Sequence, residues 1–407
     1  MLTGERPVVQ RLGRSRLARA YDRSPSFEHR MEKGARLVVQ MNVLLLDPYH
    51  AGSHAHWAKG MQHHLSLLHG VNVEMWTMPG RHWKWRMHGA GGEFAHRATA
   101  VASRPDLILT TDMLDVASLK GLLPVDWKRI PVVQYFHENQ LTFPWSDRDA
   151  EKARGINHTY EFMNIQSATA ADWVWFNSDY HRDVFIDAAD RFLKRMPDLR
   201  DGYSMNSLAE KSSILPVGIE APTVIDLGRP IGEPPTILWN HRWEYDKGPD
   251  HFLDHLNALE SAGHDFRLIL CGQQYKEAPP VLESIRQHHH HRIVHDGYAS
   301  TKEAYLALLE SSDFILHQPV QEYFGVSVAE AMSFGVIPIL KADQAYLSWV
   351  PEDFLFLDPH DMMAKWEHWL QHFDDGKTLA KATATQFHWP RVAHKAYDEL
   401  QWRFQLN

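Results

Sequence analysis

From Met41 onward, short apolar or β-branched runs alternate with longer amphipathic ones, and nothing else in the chain restricts its fold as strongly. Apolar runs of this kind suit strands buried on both faces, as in a parallel sheet covered by crossover helices. The reading places strands over 43–47, 73–77, 107–110, 132–136, 173–177 and 214–217, with helices over 56–68, 155–170 and 180–195. Residues 221–235 then collect Pro222, Pro230, Pro234, Pro235, Gly228 and Gly232, which neither a strand nor a helix tolerates for long. Past that linker the alternation resumes, with strands over 236–240, 267–271, 292–295, 314–317, 336–340 and 354–357. The expected class is α/β, two Rossmann-like doubly wound domains facing a cleft beyond the carboxyl ends of their strands. The boundaries read as an extension over 1–40, a first domain over 41–225, a second domain over 236–385 and a C-terminal helix over 386–407. That last helix is expected to pack back on the first domain, with Trp366, Trp369, Trp389 and Trp402 as packing anchors of the C-terminal region.

Composition narrows the function classes. The 407 residues exceed what one core usually covers, and 44% hydrophobic with 23% charged is ordinary for a soluble protein. One cysteine, Cys271, excludes an internal disulfide. No secretory signal and no apolar run of the roughly 18 residues a membrane span needs can be found, so a cytoplasmic protein with no membrane partner is expected. The net charge is −9, yet residues 1–40 hold nine Lys/Arg against four Asp/Glu, leaving −14 for the rest. An acidic body argues against broad nucleic-acid binding, so a nucleic-acid substrate must be argued from local residues. The Arg-rich 1–40 lacks apolar periodicity and reads as a mobile tail.

The densest chemistry lies between Glu322 and Glu330, where Glu-Tyr-Phe-Gly-Val-Ser-Val-Ala-Glu follows a strand and opens a helix at Gly325. Exposed amides and the positive end of a helix dipole suit an anion, and a carboxylate a turn and a half into the helix suits vicinal hydroxyls. The stretch reads as built to hold a diphosphate between two sugars. At the end of the first strand of the second domain, Arg242 and Lys247-Gly248 supply two cations that would neutralise a departing diphosphate. In the first domain, Gly52 would let backbone approach a ligand after strand one, and His137-Glu138-Asn139-Gln140 follows strand four. After strand two, Trp83-Lys84-Trp85-Arg86 alternates indoles with cations, a pattern that suits a stacked base and a phosphate backbone. Asp147-Arg148-Asp149 is poorly placed to hold a metal, and the His288 to His291 run reads as a polar loop. No metal site and no cofactor are expected.

These pieces resemble the retaining family-4 glycosyltransferases of the GT-B fold, whose Glu-x7-Glu motif falls on Glu322 and Glu330 and whose Arg…Lys-Gly pair falls on Arg242 and Lys247-Gly248. More narrowly, Pro48-Tyr49…Gly52-Ser53-His54, Trp83-Lys84-Trp85-Arg86, Phe136-His137-Glu138-Asn139-Gln140 and Phe176-Asn177-Ser178 look like the tRNA-queuosine mannosyltransferases. The resemblance implies transfer of mannose from GDP-mannose to the cyclopentene-diol of queuosine in the anticodon loop of tRNA-Asp, without a metal. It assigns Glu330 to the nucleotide ribose and Glu322 to the donor sugar. It also implies donor contacts from Gly52, Arg242, Lys247, Phe324 and Gly325, and a catalytic set of His137, Glu322, Arg242 and Lys247. Trp83, Lys84, Trp85, Arg86, Asn139 and Gln140 fall to the acceptor, a queuosine-modified tRNA. Asn240-His241 stands where the family has a glycine. A hexose transferred to a lipid or polysaccharide, a noncatalytic tRNA binder, and a sugar-nucleotide epimerase remain open alternatives, as do GDP against UDP and the oligomeric state.

Overall fold

The computed structural model describes residues 40–144, 158–198, 201–222, 233–273 and 280–405. The tail over 1–39, the Asp147-Arg148-Asp149 segment and most of the Pro/Gly linker lie outside them. The described chain builds two six-stranded sheets, parallel throughout. The first holds β1 (Met41–His50), β2 (Val71–Pro79), β3 (Leu107–Thr111), β4 (Val132–Phe136), β5 (Trp173–Phe176) and β6 (Ser212–Ile214), in the order β2-β1-β3-β4-β5-β6. The second holds β7 (Thr236–Trp239), β8 (Arg267–Leu270), β9 (Ile293–Asp296), β10 (Phe314–His317), β11 (Ile337–Lys341) and β12 (Leu355–Phe356), in the order β12-β11-β10-β7-β8-β9. In each sheet the chain reverses its direction of winding once, between β1 and β3 and between β7 and β10. The carboxyl ends of those strands form the crevices where ligands of such sheets sit.

The core follows from strand composition. β3, β4, β7 and β10 are buried along their whole length, as double-faced strands must be. One face of the first sheet packs Phe94, Leu119, Phe136, Phe176 and Phe185; the other packs Leu45, Trp57, Tyr135, Trp175 and, from the far end of the chain, Trp389 and Val392. Helix Trp389–Phe404 therefore completes the first domain's core. The two crossings between the domains lie side by side: the Ile219 amide donates to Phe387 O at 2.9 Å and the Trp389 amide to Ile219 O at 3.0 Å.

Three local readings change. Residues 83–86 form the first turn of helix Trp83–Ala98, where the sequence reading placed no helix. Gly89, Gly91 and Gly92 hide that helix in the sequence, yet Gly91 is there for packing, because a Cβ on it would stand 3.0 Å from the Leu119 amide nitrogen. The histidine run ends helix Pro280–His289 and forms the turn His290–Arg292, with His289 buried against Asn257. Trp366, Trp369 and Trp389 are buried, but Trp402 is 69% exposed, on the outer face of its helix with the Arg403 guanidinium 4.2 Å from its ring.

Candidate active site

The carboxyl ends of β7 and β10 bring the cations and the first glutamate together. Lys247 Nζ lies 2.9 Å from Glu322 Oε2 and 3.4 Å from Asp246 Oδ2. Arg242 pairs with Glu244 at 2.9 Å and approaches Asp246 at 3.7 Å. Gly248 makes this turn possible, since its φ is +66° and a Cβ would fall 2.1 Å from Gln318 O. Burial pushes the Glu322 carboxyl up, but Lys247, His317 and the Phe324 amide outweigh it and hold it below the usual carboxylate value. Burial likewise pulls Lys247 down, and Glu322 with Asp246 more than restores it. Both members of the pair are charged.

Glu322 also meets the start of its own helix. Its Oε1 accepts from the Gly325 amide at 2.9 Å and the Phe324 amide at 3.3 Å. The anion site foreseen at this terminus thus holds a carboxylate of the same loop, and Gly325 caps helix Val326–Ser333 at φ +92°. Glu330 sits one and a half turns on, where its Oε2 accepts from Tyr305 Oη at 2.9 Å. Burial raises its pKa, opposed first by His56 of the other domain. Asn240, in place of the family's glycine, donates from Nδ2 to Tyr305 Oη and to Ser327 O, both at 3.0 Å. His241 lies buried on His317, ring centroids 3.7 Å apart. His241 Nδ1 in turn lies 2.8 Å from Ser327 Oγ, so both side chains are tied to the helix that carries Glu330.

On the first domain's side, Gly52 takes φ +51° as the first residue of helix Gly52–Ser66. His137 follows β4, its amide donating to Asp112 Oδ1 at 2.9 Å and its ring centroid 4.4 Å from that of His54. Burial, then His54 and His181, push His137 well below its usual value. Burial, with Arg242 adding to it, lowers His54 to about 4. Burial and Glu138 raise Asp112 well above the carboxylate range. Glu138 feels Arg242, Asp246, Lys247 and Glu244 of the opposite domain, so this carboxylate, absent from the expected site, faces the cation pair.

The acceptor-side expectations divide. Trp85 is 63% exposed at the start of its helix, with Gly89 beneath its indole. Lys84 Nζ lies 5.4 Å above the Trp83 ring, and Trp83 packs against Tyr160. Arg86 points inward, its Nε donating to Pro79 O at 3.2 Å. Asn139 is fully buried, with Oδ1 accepting from the Leu141 and Thr142 amides at 3.0 and 2.9 Å. Its oxygen closes an Asx-type turn, while its Nδ2 has no hydrogen-bond partner among the described residues. The Gln140 amide donates to Asn164 Oδ1 at 2.8 Å.

Tyr323, between Glu322 and Phe324, does most to join the two sides. Its hydroxyl is 2.9 Å from Thr142 Oγ1 and its carbonyl accepts from Ser178 Oγ at 2.5 Å. Its ring stacks on His181 with centroids 4.2 Å apart. The loop carrying Glu322 is thereby bolted to the first domain.

With this geometry in view, the likeness to known proteins is specific. Residues 42–219 match the family model of the tRNA-queuosine alpha-mannosyltransferase N-terminal domain, and residues 228–384 that of group 1 glycosyl transferases. A tRNA-queuosine alpha-mannosyltransferase of Drosophila melanogaster is 29% identical over 330 residues, covering 77% of this chain and 83% of its own. A GDP-mannose:cellobiosyl-diphosphopolyprenol alpha-mannosyltransferase of Xanthomonas oryzae pv. oryzae is 25% identical over 174 residues, 40% of this chain and 46% of its own. Among solved structures, a sucrose-phosphate synthase from Thermosynechococcus elongatus superposes with a TM-score of 0.65 at 16% identity, covering 90% of this chain and all of that one. The two matched regions meet where Arg242, Lys247 and Glu322 gather, and the chain is a glycosyltransferase of the GT-B fold whose first half is similar to the tRNA-queuosine alpha-mannosyltransferases.

Proposed function

We propose that this glycosyltransferase moves mannose from GDP-mannose to the cyclopentene-diol of queuosine in the anticodon loop of tRNA-Asp, with retention at the anomeric carbon and without a metal on the diphosphate. The observation that carries the reading is the grouping of Arg242 and Lys247 at the second sheet's strand ends, facing His54 and Glu138 of the first domain. Two fixed cations in a partly buried site offset the charge that develops on a leaving nucleoside diphosphate. Arg242 is held by Glu244 and Lys247 by Glu322, so an incoming diphosphate exchanges with those carboxylates. Glu322, released from Lys247, then takes hydroxyls of the donor sugar. Glu330 takes the ribose hydroxyls with the carboxylate oxygen that Tyr305 leaves open, and His137 contacts the sugar from the other domain. The leaving phosphate oxygen accepts the acceptor's proton on the front face, so catalysis rests on positioning and charge. Exposed Trp85 offers a stacking surface for an unpaired base, beside the Lys84 charge. Trp83 and Arg86 support that turn from beneath. The donor assignment has further support in the Xanthomonas relative, whose name specifies GDP-mannose; that name also specifies a lipid-linked acceptor, which makes a lipid product the second reading.

Incubation of the protein with queuosine-containing tRNA, GDP-mannose and a chelator, followed by mass analysis of the nucleosides, is expected to show one added hexose on queuosine. Transfer to lipid alone, or dependence on an added metal, would sink the reading. Glu330→Ala is expected to weaken GDP-mannose binding by about 1–3 kcal/mol, the cost of a lost charged hydrogen bond. Calorimetric titration measures it, and unchanged affinity removes Glu330 from the donor site.

A further inference from the structure

His54, Asp112 and His137 come from three separate strand ends of the first sheet and converge beneath the cleft floor. Each offers one ligand atom, and the three atoms lie within 4.8 Å of one another. His54 and Asp112 are buried. His54 Nδ1 and His137 Nε2 are both shut off from solvent and have no hydrogen-bond partner among the described residues. Two orphaned imidazole nitrogens in one place are costly, because a buried polar atom without a partner loses its hydration and gains nothing. The rings cannot relieve this by donating to each other's faces alone, and Trp57, with its ring centroid 5.0 Å from that of His137, closes the apolar side.

We propose that these three residues bind a divalent transition-metal ion, with zinc as the best fit. Two imidazoles and a carboxylate are the donor set of three-ligand zinc sites. Bonds of about 2.1 Å at the tetrahedral angle put ligand atoms about 3.4 Å apart, so the set contracts by a small side-chain adjustment. Asp112 is already oriented for the task, since its Oδ1 receives the His137 amide at 2.9 Å and ties the carboxylate to the loop that carries the second histidine. Such outer hydrogen bonds fix ligand direction in metal sites. The ion takes the His137 nitrogen that the proposed donor contact needs, so its effect on transfer is inhibitory. That effect rests on the role proposed for His137, whereas binding of the ion does not.

The test is a cobalt(II) titration of the full chain in which His288, His290 and His291 are replaced by Ala, so that the exposed histidine run does not contribute. The expected result is a visible d–d absorption band with a 1:1 endpoint, abolished by one equivalent of zinc. His54→Ala and Asp112→Asn, each shown folded by its circular dichroism, are expected to lose the band. No band in the parent, or a band that survives both substitutions, overturns the site. In the tRNA assay, zinc is expected to suppress transfer and a chelator to restore it. A chelator that abolishes transfer overturns the inhibitory role and the metal-free mechanism together, while leaving the cobalt result to stand on its own.

Discussion

Lys247→Met is expected to lower the unfolding free energy by about 3–5 kcal/mol and to abolish transfer, as read by urea denaturation and the tRNA assay. The size of the effect comes from what remains behind. The Glu322 side chain is only 11% exposed, its ion-pair partner among the described residues is the Lys247 ammonium at 2.9 Å, and a carboxylate left there unpaired recovers little of its hydration. Two backbone amides still reach it, which keeps the loss within that range rather than beyond it. The pH dependence has a definite sign. The folded Glu322 pKa is depressed, so its contribution is present above the ordinary value of 4.5 and is lost as the pH falls through the folded value. The folded Lys247 pKa is raised, so its contribution is present below 10.5 and is lost as the pH rises through the folded value. The stabilisation that wild type owes to the pair is therefore complete at neutral pH and fades toward both extremes. A variant as stable as wild type at pH 7 would show that the pair contributes nothing.

Trp389→Ala is expected to cost about 3–5 kcal/mol, the range for removing a fully buried indole. Trp389 is completely buried, and it is held tightly: a Cβ on Gly60 or Gly218 would come within 2.1 or 2.2 Å of its ring. The ring lies where helix Gly52–Ser66, the end of the first domain and the returning helix meet, so little can collapse into the space it leaves. Differential scanning calorimetry should show a lower transition temperature. Donor affinity in the surviving folded fraction should change little, because Trp389 touches none of the donor residues. An unaltered transition would mean that the helix is dispensable to the core.

The legibility of this chain in its sequence follows the range of the interactions involved. Strands such as β4 and β10 are legible because burial on both faces forces a continuous apolar run. Helix Trp83–Ala98 is not, because the glycines that bring it close to Leu119 look like a loop when their neighbour, nearly 30 positions away, is out of view. In the candidate site, the Arg242, Lys247 and Glu322 grouping is legible because all three follow strand ends, with Gly248 and Gly325 marking the turns beside Lys247 and Glu322. Asn139 carried a warning in Thr142, three positions on, since an Asn with a hydroxyl residue at that distance favours a closed turn over a free side chain. Tyr323 carried none. Its partners, Thr142, Ser178 and His181, are all more than 140 positions away, and only the assembled domains bring them to it. The grouping of His54 and Asp112 with His137 is not legible for a similar reason: His54 lies in the helix after β1 and Asp112 just past β3, and only the strand order β1-β3-β4 makes them neighbours of His137.

The return of helix Trp389–Phe404 to the first sheet also bears on the order in which the protein is made. Leu45, Trp57, Tyr135 and Trp175 are synthesised before the second domain, yet the surface that covers them is translated after it. While the second domain is being synthesised, that face of the first sheet remains open. Folding of the first half cannot finish on the ribosome ahead of the second, and a fragment ending at the linker would carry an uncovered apolar face. Synthesis thus couples the halves before any substrate does: the first domain closes only after the second has emerged.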